Sequence, residues 1–260
     1  MHPVAGGPWF KLAAPAVLAC VFLGKSAQAD LSDTIDRIKP SIVAVGHFRQ
    51  TGSPPFTLRG TGFVVGDGNT VVTNAHVVAE PPDVANGASL AIQARVGTQP
   101  VIRRARLLAA APEYDLAVLR FEDAPLPALL VRASDGTREG QAVAFTGFPI
   151  GGTLGFSPVT HRGTISAITP IAIPGASSRQ LTEKLINRLK AGAFNIFQLD
   201  ATAYPGNSGS PVYDVASGEV IGIINMVFVK GTKEAALSQP SGIAYAIPSN
   251  FLLEVLRASR

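Results

Sequence analysis

Short apolar runs separated by glycine, proline, asparagine and aspartate dominate the chain, which is the pattern of β-strands joined by turns. Before Glu122 the runs are SIVAVGHF, TLRGTGFVV, NTVVTN, SLAIQARV, PVIRRARLL and DLAVLRF. After Gly140 come QAVAFTGF, VTHRGTISAI, NIFQLDA, SPVYD, EVIGIINMVF and IAYAIP. The stretch 122–140, with two prolines and an Asp135-Gly136 turn, reads as the connection between two sets of six. Six plus six short strands predict an all-β protein of two six-stranded β-barrels, divided as 30–138 and 139–260.

Three stretches change period. SDTIDRIK, with Ser32 as N-cap and Ile35 and Ile38 on one face, predicts a short helix that Pro40 stops. The C-terminus predicts another, capped by Ser249, with Phe251, Leu252, Val255 and Leu256 as its apolar face. Between the strands at 159–168 and 195–200, a helix is expected over about 177–190, with Ser177 and Gln180 at capping-box spacing and Leu181, Leu185 and Leu189 facing one way. This insertion is expected to control access to the site or its assembly, since it enters the second barrel just before the Pro-Gly turn at 205–206.

Residues 1–29 carry Lys11, the apolar run LAAPAVLACVFL and then Ala27-Gln28-Ala29, the pattern of a secretory signal peptide cleaved before Asp30. The apolar run is too short for a membrane-spanning helix. The only cysteine, Cys20, lies inside it. A lipid anchor at Cys20 is a minor alternative and the one route to a membrane; otherwise the mature chain is periplasmic or extracellular and free of disulfides. The whole sequence has 22 Lys and Arg against 18 Asp and Glu, and the leader takes Lys11 and Lys25 with it. What remains is close to neutral. Arg103, Arg104 and Arg106 form a single basic run without interleaved aromatics, so a nucleic-acid partner is not expected. No internal repeat, metal-ligand cluster or phosphate-binding loop is present, and no cofactor or metal is expected.

The chemistry centres on QLDATAYPGNSGSPVY, residues 198–213. A serine hydroxyl needs a base to take its proton and donors to hold the oxyanion. Gly206 and Gly209 flank Ser208 with backbone freedom that can turn successive amides toward one point. The G-x-S-x-G elbow of the α/β-hydrolases does not fit, because Ser210 stands at the second position after the serine and a strand comes next. Of the four histidines, His2 falls in the leader and His47 and His161 lie inside strands. His76 stands at a strand end, in TNAHVV. Asp115 opens the apolar run DLAVLRF, where a carboxylate requires a polar partner. The chain order is therefore His76, Asp115, Ser208, that of chymotrypsin-type sites.

In sequence and order, GTGFVVGDGNTVVTNAHVV, YDLAVLRF, FTGFPIG, GTISAI, QLDATAYPGNSGSPV and GIAYAIPSN resemble the protease domain of the HtrA (DegP/DegQ/DegS) family of trypsin-like serine proteases. The resemblance runs over about 33–256. It implies a double barrel with His76 and Asp115 in the first half and Ser208 in the second. His76 would act as general base and acid, Asp115 would orient it, and Ser208 would form the acyl-enzyme. The Gly206 and Ser208 amides would hold the oxyanion, with Asn207 shaping the turn. Protein or peptide substrates are implied, and a homo-oligomer is compatible with the family.

The chain departs from the family pattern in two places. Ser210 replaces the second glycine of GNSGGP, as in secreted glutamyl endopeptidases; the loop is expected to be strained if that position demands a glycine-only conformation, and Ser210 to be neutral if it does not. The chain also ends at Arg260, without the PDZ domains found after the protease domain in the family, so regulation through such a module is not expected. By match to the trypsin-like pattern the primary pocket has Thr202 at its floor and Asn225, Met226 and Val227 along its wall, which favours a small or medium apolar residue over a basic one. Two rival readings remain at this level: a non-catalytic binding or adhesion module on a protease fold, and a glutamyl endopeptidase.

Overall fold

The computed structural model describes residues 1–2, 30–152, 156–170, 194–225 and 242–259. The first half holds β1 (Ile42–Phe48), β2 (Phe56–Val65), β3 (Thr70–Asn74), β4 (Ser89–Val96), β5 (Gln99–Ala111) and β6 (Leu116–Phe121). The second holds β7 (Ala142–Gly147), β8 (Val159–Pro170), β9 (Asn195–Asp200), β10 (Pro211–Asp214), β11 (Val220–Ile224) and β12 (Ile243–Pro248). Each set closes into a six-stranded barrel, in the orders β1-β2-β3-β6-β5-β4 and β7-β8-β9-β12-β11-β10. The two orders coincide when six is added to each strand number. The architecture is thus duplicated although the sequence shows no repeat.

The apolar runs are continuous because both faces of most strands are buried, and successive side chains point to opposite faces. Along β1, Val43 and Val45 join one cluster with Val64, Val71, Ile92, Leu119 and Phe121, all within the first barrel. Ile42 and Ala44 face the other way, into a cluster with Phe63, Val72 and Val118 that also takes Ala144, Tyr213, Ile223 and Ile247 from the second barrel. A third cluster, with Val143, Phe145, Leu199, Val212, Ile221 and Ala246, stays within the second barrel. The shared middle cluster fixes one barrel against the other.

The connection lies across both barrels. Leu129 bridges to Val65 and Val131 to Val220. The N-cap of helix α1 (Leu31–Ile38) lies two residues earlier than expected, at Asp30 and not Ser32: the Asp30 carboxylate accepts from the Ser32 amide at 3.3 Å. An aspartate cap also suits the positive end of the helix dipole. The single turn α2 (Ala75–Val78) comes directly after β3, and α3 (Ser249–Ala258) ends the described chain. Ser249 is the first residue of α3, with Pro248 at the cap position, and its hydroxyl donates to the Arg132 carbonyl at 2.5 Å. Phe251 of α3 stacks on Tyr114 with ring centroids 4.4 Å apart, and so braces the residue that precedes Asp115. Within the basic run, Arg103 is buried, donates to the Ala124 carbonyl and lies 5.2 Å over the Phe121 ring. Residues 3–29, which hold Cys20 and most of the expected signal peptide, and the helix expected over 177–190 lie outside the described residues.

Candidate active site

β3 and β6 pair antiparallel with Asn74 opposite Leu116, so the C-terminal end of β3 and the N-terminal end of β6 meet at one end of the first barrel. His76 lies two residues beyond β3, on α2, and Asp115 immediately precedes β6. The His76 Nδ1 and Asp115 Oδ2 atoms stand 2.6 Å apart, and the His76 backbone amide donates to Asp115 Oδ1 at 2.8 Å. From the second barrel, Asn225 Nδ2 donates to Asp115 Oδ2 at 2.8 Å. The Asp115 carbonyl accepts from the Ala75 amide and from Asn74 Nδ2, each at 3.0 Å. Every oxygen of Asp115 is therefore engaged, as burial of a carboxylate at 6 % exposure demands. Its backbone sits at φ +54°, a left-handed conformation that aspartate tolerates better than most residues. The contacts on its carbonyl and carboxylate hold it there.

The turn 205–209 is held by its carbonyls. Pro205 O accepts from the Ile150 amide at 2.7 Å, Asn207 O from the Ser210 amide at 2.9 Å, and Ser208 O from the Thr61 amide at 2.8 Å. Gly206 O accepts from Thr61 Oγ1 at 2.7 Å. Of the amides, Asn207 N donates to Tyr204 O at 2.9 Å and Gly209 N to Ile224 O at 3.0 Å. Among the described residues, only the Gly206 and Ser208 amides of this turn have no acceptor. A trans peptide points its N–H opposite its C=O, so anchoring Pro205 O and Asn207 O aims these two amides away from their anchors. Gly206 and Gly209 take φ +101° and +87°, and a Cβ on Gly209 would stand 2.1 Å from Thr61 O. Only glycine allows that approach.

Thr61, on β2, is a residue that sequence reasoning missed. Its amide and hydroxyl grip two carbonyls of the turn, while its hydroxyl also accepts from the Phe148 amide at 2.9 Å. Its spacing in the sequence carries no sign of this role, which arises only when the barrels dock. Ser208 is buried at 5 % exposure beside α2: a Cβ on Gly60 would meet Ser208 O at 3.0 Å and Val77 Cγ2 at 2.6 Å. Thr202 is half-buried in the segment before the turn. Asn225, expected along the pocket wall, is fully buried with its amide on Asp115, which makes it a partner of the carboxylate. Met226 and Val227 lie outside the described residues. Among the described residues, no three His, Cys, Asp or Glu side chains are grouped to hold a metal ion.

The family model of the trypsin-like peptidase domain matches residues 60–223. The chain belongs to the trypsin-like peptidases. This trypsin-like peptidase is 31 % identical over 256 residues to the mitochondrial serine protease HTRA2 of Bos taurus, covering 93 % of this chain and 47 % of the relative. It is 32 % identical over 203 residues to a probable periplasmic serine endoprotease DegP-like of Brucella suis, covering 76 % and 32 %. The chain therefore spans less than half the length of these curated relatives. Among solved structures, the HtrA-type protease AlgW with a tripeptide superposes at a TM-score of 0.62 with 29 % identity, over 88 % of this chain and 63 % of that one. The double barrel of this trypsin-like peptidase is thus of the HtrA type.

Proposed function

We propose that the protein is a serine endopeptidase in which Ser208 is the nucleophile, His76 the general base and acid, and Asp115 the group that orients the imidazole. The reading rests on the turn that leaves the Gly206 and Ser208 amides without acceptors while all four of its carbonyls from 205 to 208 are held. Two preset donors at one serine are what a tetrahedral oxyanion requires. With Nδ1 of His76 held by Asp115, Nε2 is the nitrogen left to take the Ser208 proton as Oγ attacks the scissile carbonyl. The oxyanion then sits on the two amides, His76 returns the proton to the leaving amine, and water releases the acyl group by the same steps. No hydrogen bond joins Ser208 Oγ to another described residue; bonds of this kind are often long in unliganded enzymes and tighten when substrate binds.

Proteins or peptides are the substrates of this reading, with a small or medium apolar residue at the cleaved bond, because Thr202 offers no acid to a basic side chain. The leader pattern of residues 1–29 and the periplasmic DegP-like relatives support an exported, periplasmic enzyme. Hydrolysis of unfolded casein and of fluorogenic peptides by the wild type and by Ser208→Ala tests the assignment. Cleavage that persists in the variant with unchanged rate refutes it.

A further inference from the structure

Just behind the turn lies a sealed group of polar atoms that the acyl-transfer steps do not use. Asn207 and Ser210 are both fully buried, and Asn207 Oδ1, Asn207 Nδ2 and Ser210 Oγ have no hydrogen-bond partner. Buried polar atoms are rarely left so, and three in one place call for an explanation. Gly147, the last residue of β7, locates them. A Cβ built on Gly147 would stand 2.0 Å from Ser210 Oγ, 2.8 Å from Thr61 Oγ1 and 3.0 Å from Asn207 Oδ1. The Ser210 hydroxyl thus occupies space that any side chain at 147 would fill. Among the described residues the positive-φ positions besides glycines are Asp115 and Ile150, so the backbone at Ser210 does not require glycine and the condition for strain is not met.

The inventory of donors narrows the choice. Asn207 Oδ1 needs a donor, and Thr61 Oγ1 already gives its proton to Gly206 O while accepting from the Phe148 amide. The Ser210 hydroxyl has a proton without a destination. We propose that Ser210 is a positioning residue of the oxyanion turn: the two side chains are not bonded in the structure, but both lie within 3.0 Å of one point beside Gly147, and a side-chain rotation lets the Ser210 hydroxyl donate to Asn207 Oδ1 and fix that side chain against Thr61, with Gly147 leaving the room this needs. The peptide joining Asn207 to Ser208 carries one of the two free amides, so a fixed Asn207 side chain holds that amide in its aim. Ser210 N already donates to Asn207 O at 2.9 Å, and the side-chain contact closes a second tie between the same two residues. A glycine at 210 would provide the first tie only.

The inference rests on Ser208 as nucleophile, and its test keeps the two separate. A peptide aldehyde forms a hemiacetal with Ser208 whose oxyanion lies on the two amides, so its Ki reads the turn directly. Ser210→Ala is expected to lower kcat about 10- to 100-fold and to raise the aldehyde Ki by a similar factor. KM should stay within about twofold, because ground-state binding is not altered. Asn207→Ala combined with Ser210→Ala should cost little more than either alone, since the two residues act as one unit. If Ser210→Ala is too unstable to assay, Ser210→Gly carries the same test. Gly147→Ala should fold poorly beside Ser210 and recover only in part in the Ser210→Gly background, because Thr61 Oγ1 still stands 2.8 Å from the added Cβ. Unchanged kcat and aldehyde Ki in Ser210→Ala, or additive losses in the double variant, would overturn the role of Ser210 alone. Wild-type activity that survives Ser208→Ala would overturn the nucleophile assignment and this inference with it.

Discussion

The two barrels share a strand order, but Asp115 at the end of the first and the turn around Ser208 on the second treat their polar groups in opposite ways. At the end of the first barrel Asp115 has each oxygen occupied, by His76, Asn225, Ala75 and Asn74. On the second barrel the turn around Ser208 keeps the Gly206 and Ser208 amides unoccupied, with the Asn207 and Ser210 side chains unpaired beneath it. A saturated carboxylate orients one partner and does nothing else. An unsaturated turn is where a foreign oxygen can enter. The proposed chemistry needs this contrast between an orienting side and a binding side, and substitutions on either side can break it.

The largest effect is expected from breaking the saturated side. In Asp115→Asn the side-chain amide disturbs the acceptor pattern on His76, and kcat should fall by about four powers of ten with the fold retained. Steady-state hydrolysis together with circular dichroism checks this, and a loss smaller than tenfold would remove Asp115 from its role. Thr61→Val acts on the open side: it takes the hydroxyl from Gly206 O and from the Phe148 amide while keeping the shape. A drop in kcat of about 10- to 100-fold is expected, with about 1–3 kcal/mol of stability lost because two buried groups lose their partner. Denaturant unfolding and kcat measured on one preparation separate the two effects. Asn225→Ala removes one of the donors to Asp115 and should lower kcat about tenfold, less than the change in the carboxylate itself. A greater loss from Asn225→Ala than from Asp115→Asn would invert the account.

The smallest effect is on acid stability. Burial lowers the pKa of His161, whose ring stacks on Phe145 at 4.9 Å. The unfolded chain therefore binds a proton at higher pH than the folded one does. Above the ordinary histidine range the group contributes nothing to the pH dependence, and stability falls as pH drops through the unfolded value toward the lower folded one. His161→Phe keeps the stack and should lose less Tm than the wild type between pH 7.5 and pH 5. An equal loss in both would contradict a penalty at His161.

Much of the fold was legible because its strands are short apolar runs with turn residues between them. SLAIQARV and IAYAIP coincide with β4 and β12 residue for residue. The ends of helices were less so: both Asp30 and Ser32 can cap, and only the structure shows that Asp30 does. Ser249 looked like a cap, yet its hydroxyl is drawn to Arg132, more than a hundred residues away. Polar side chains serving distant backbone leave no local pattern. For the same reason Thr61 could not be singled out within TLRGTGFVV, since its partners lie on the turn of the other barrel. Asn225 was placed near the site by resemblance, but its contact with Asp115 depends on how the barrels meet. The duplicated barrel order escaped notice entirely, because strand pairing depends on apolar patterning and turn placement and needs no repeated residues.

The central claim is that Ser208 is a nucleophile activated by an oriented His76. A fluorophosphonate reacts covalently with such a serine, and mass spectrometry of the digested adduct locates the modified residue. The account predicts a single adduct on the peptide that contains Ser208, no labelling of Ser208→Ala, and labelling of Asp115→Asn slowed by orders of magnitude. Labelling at another serine, or an Asp115→Asn variant that labels as fast as the wild type, would contradict it.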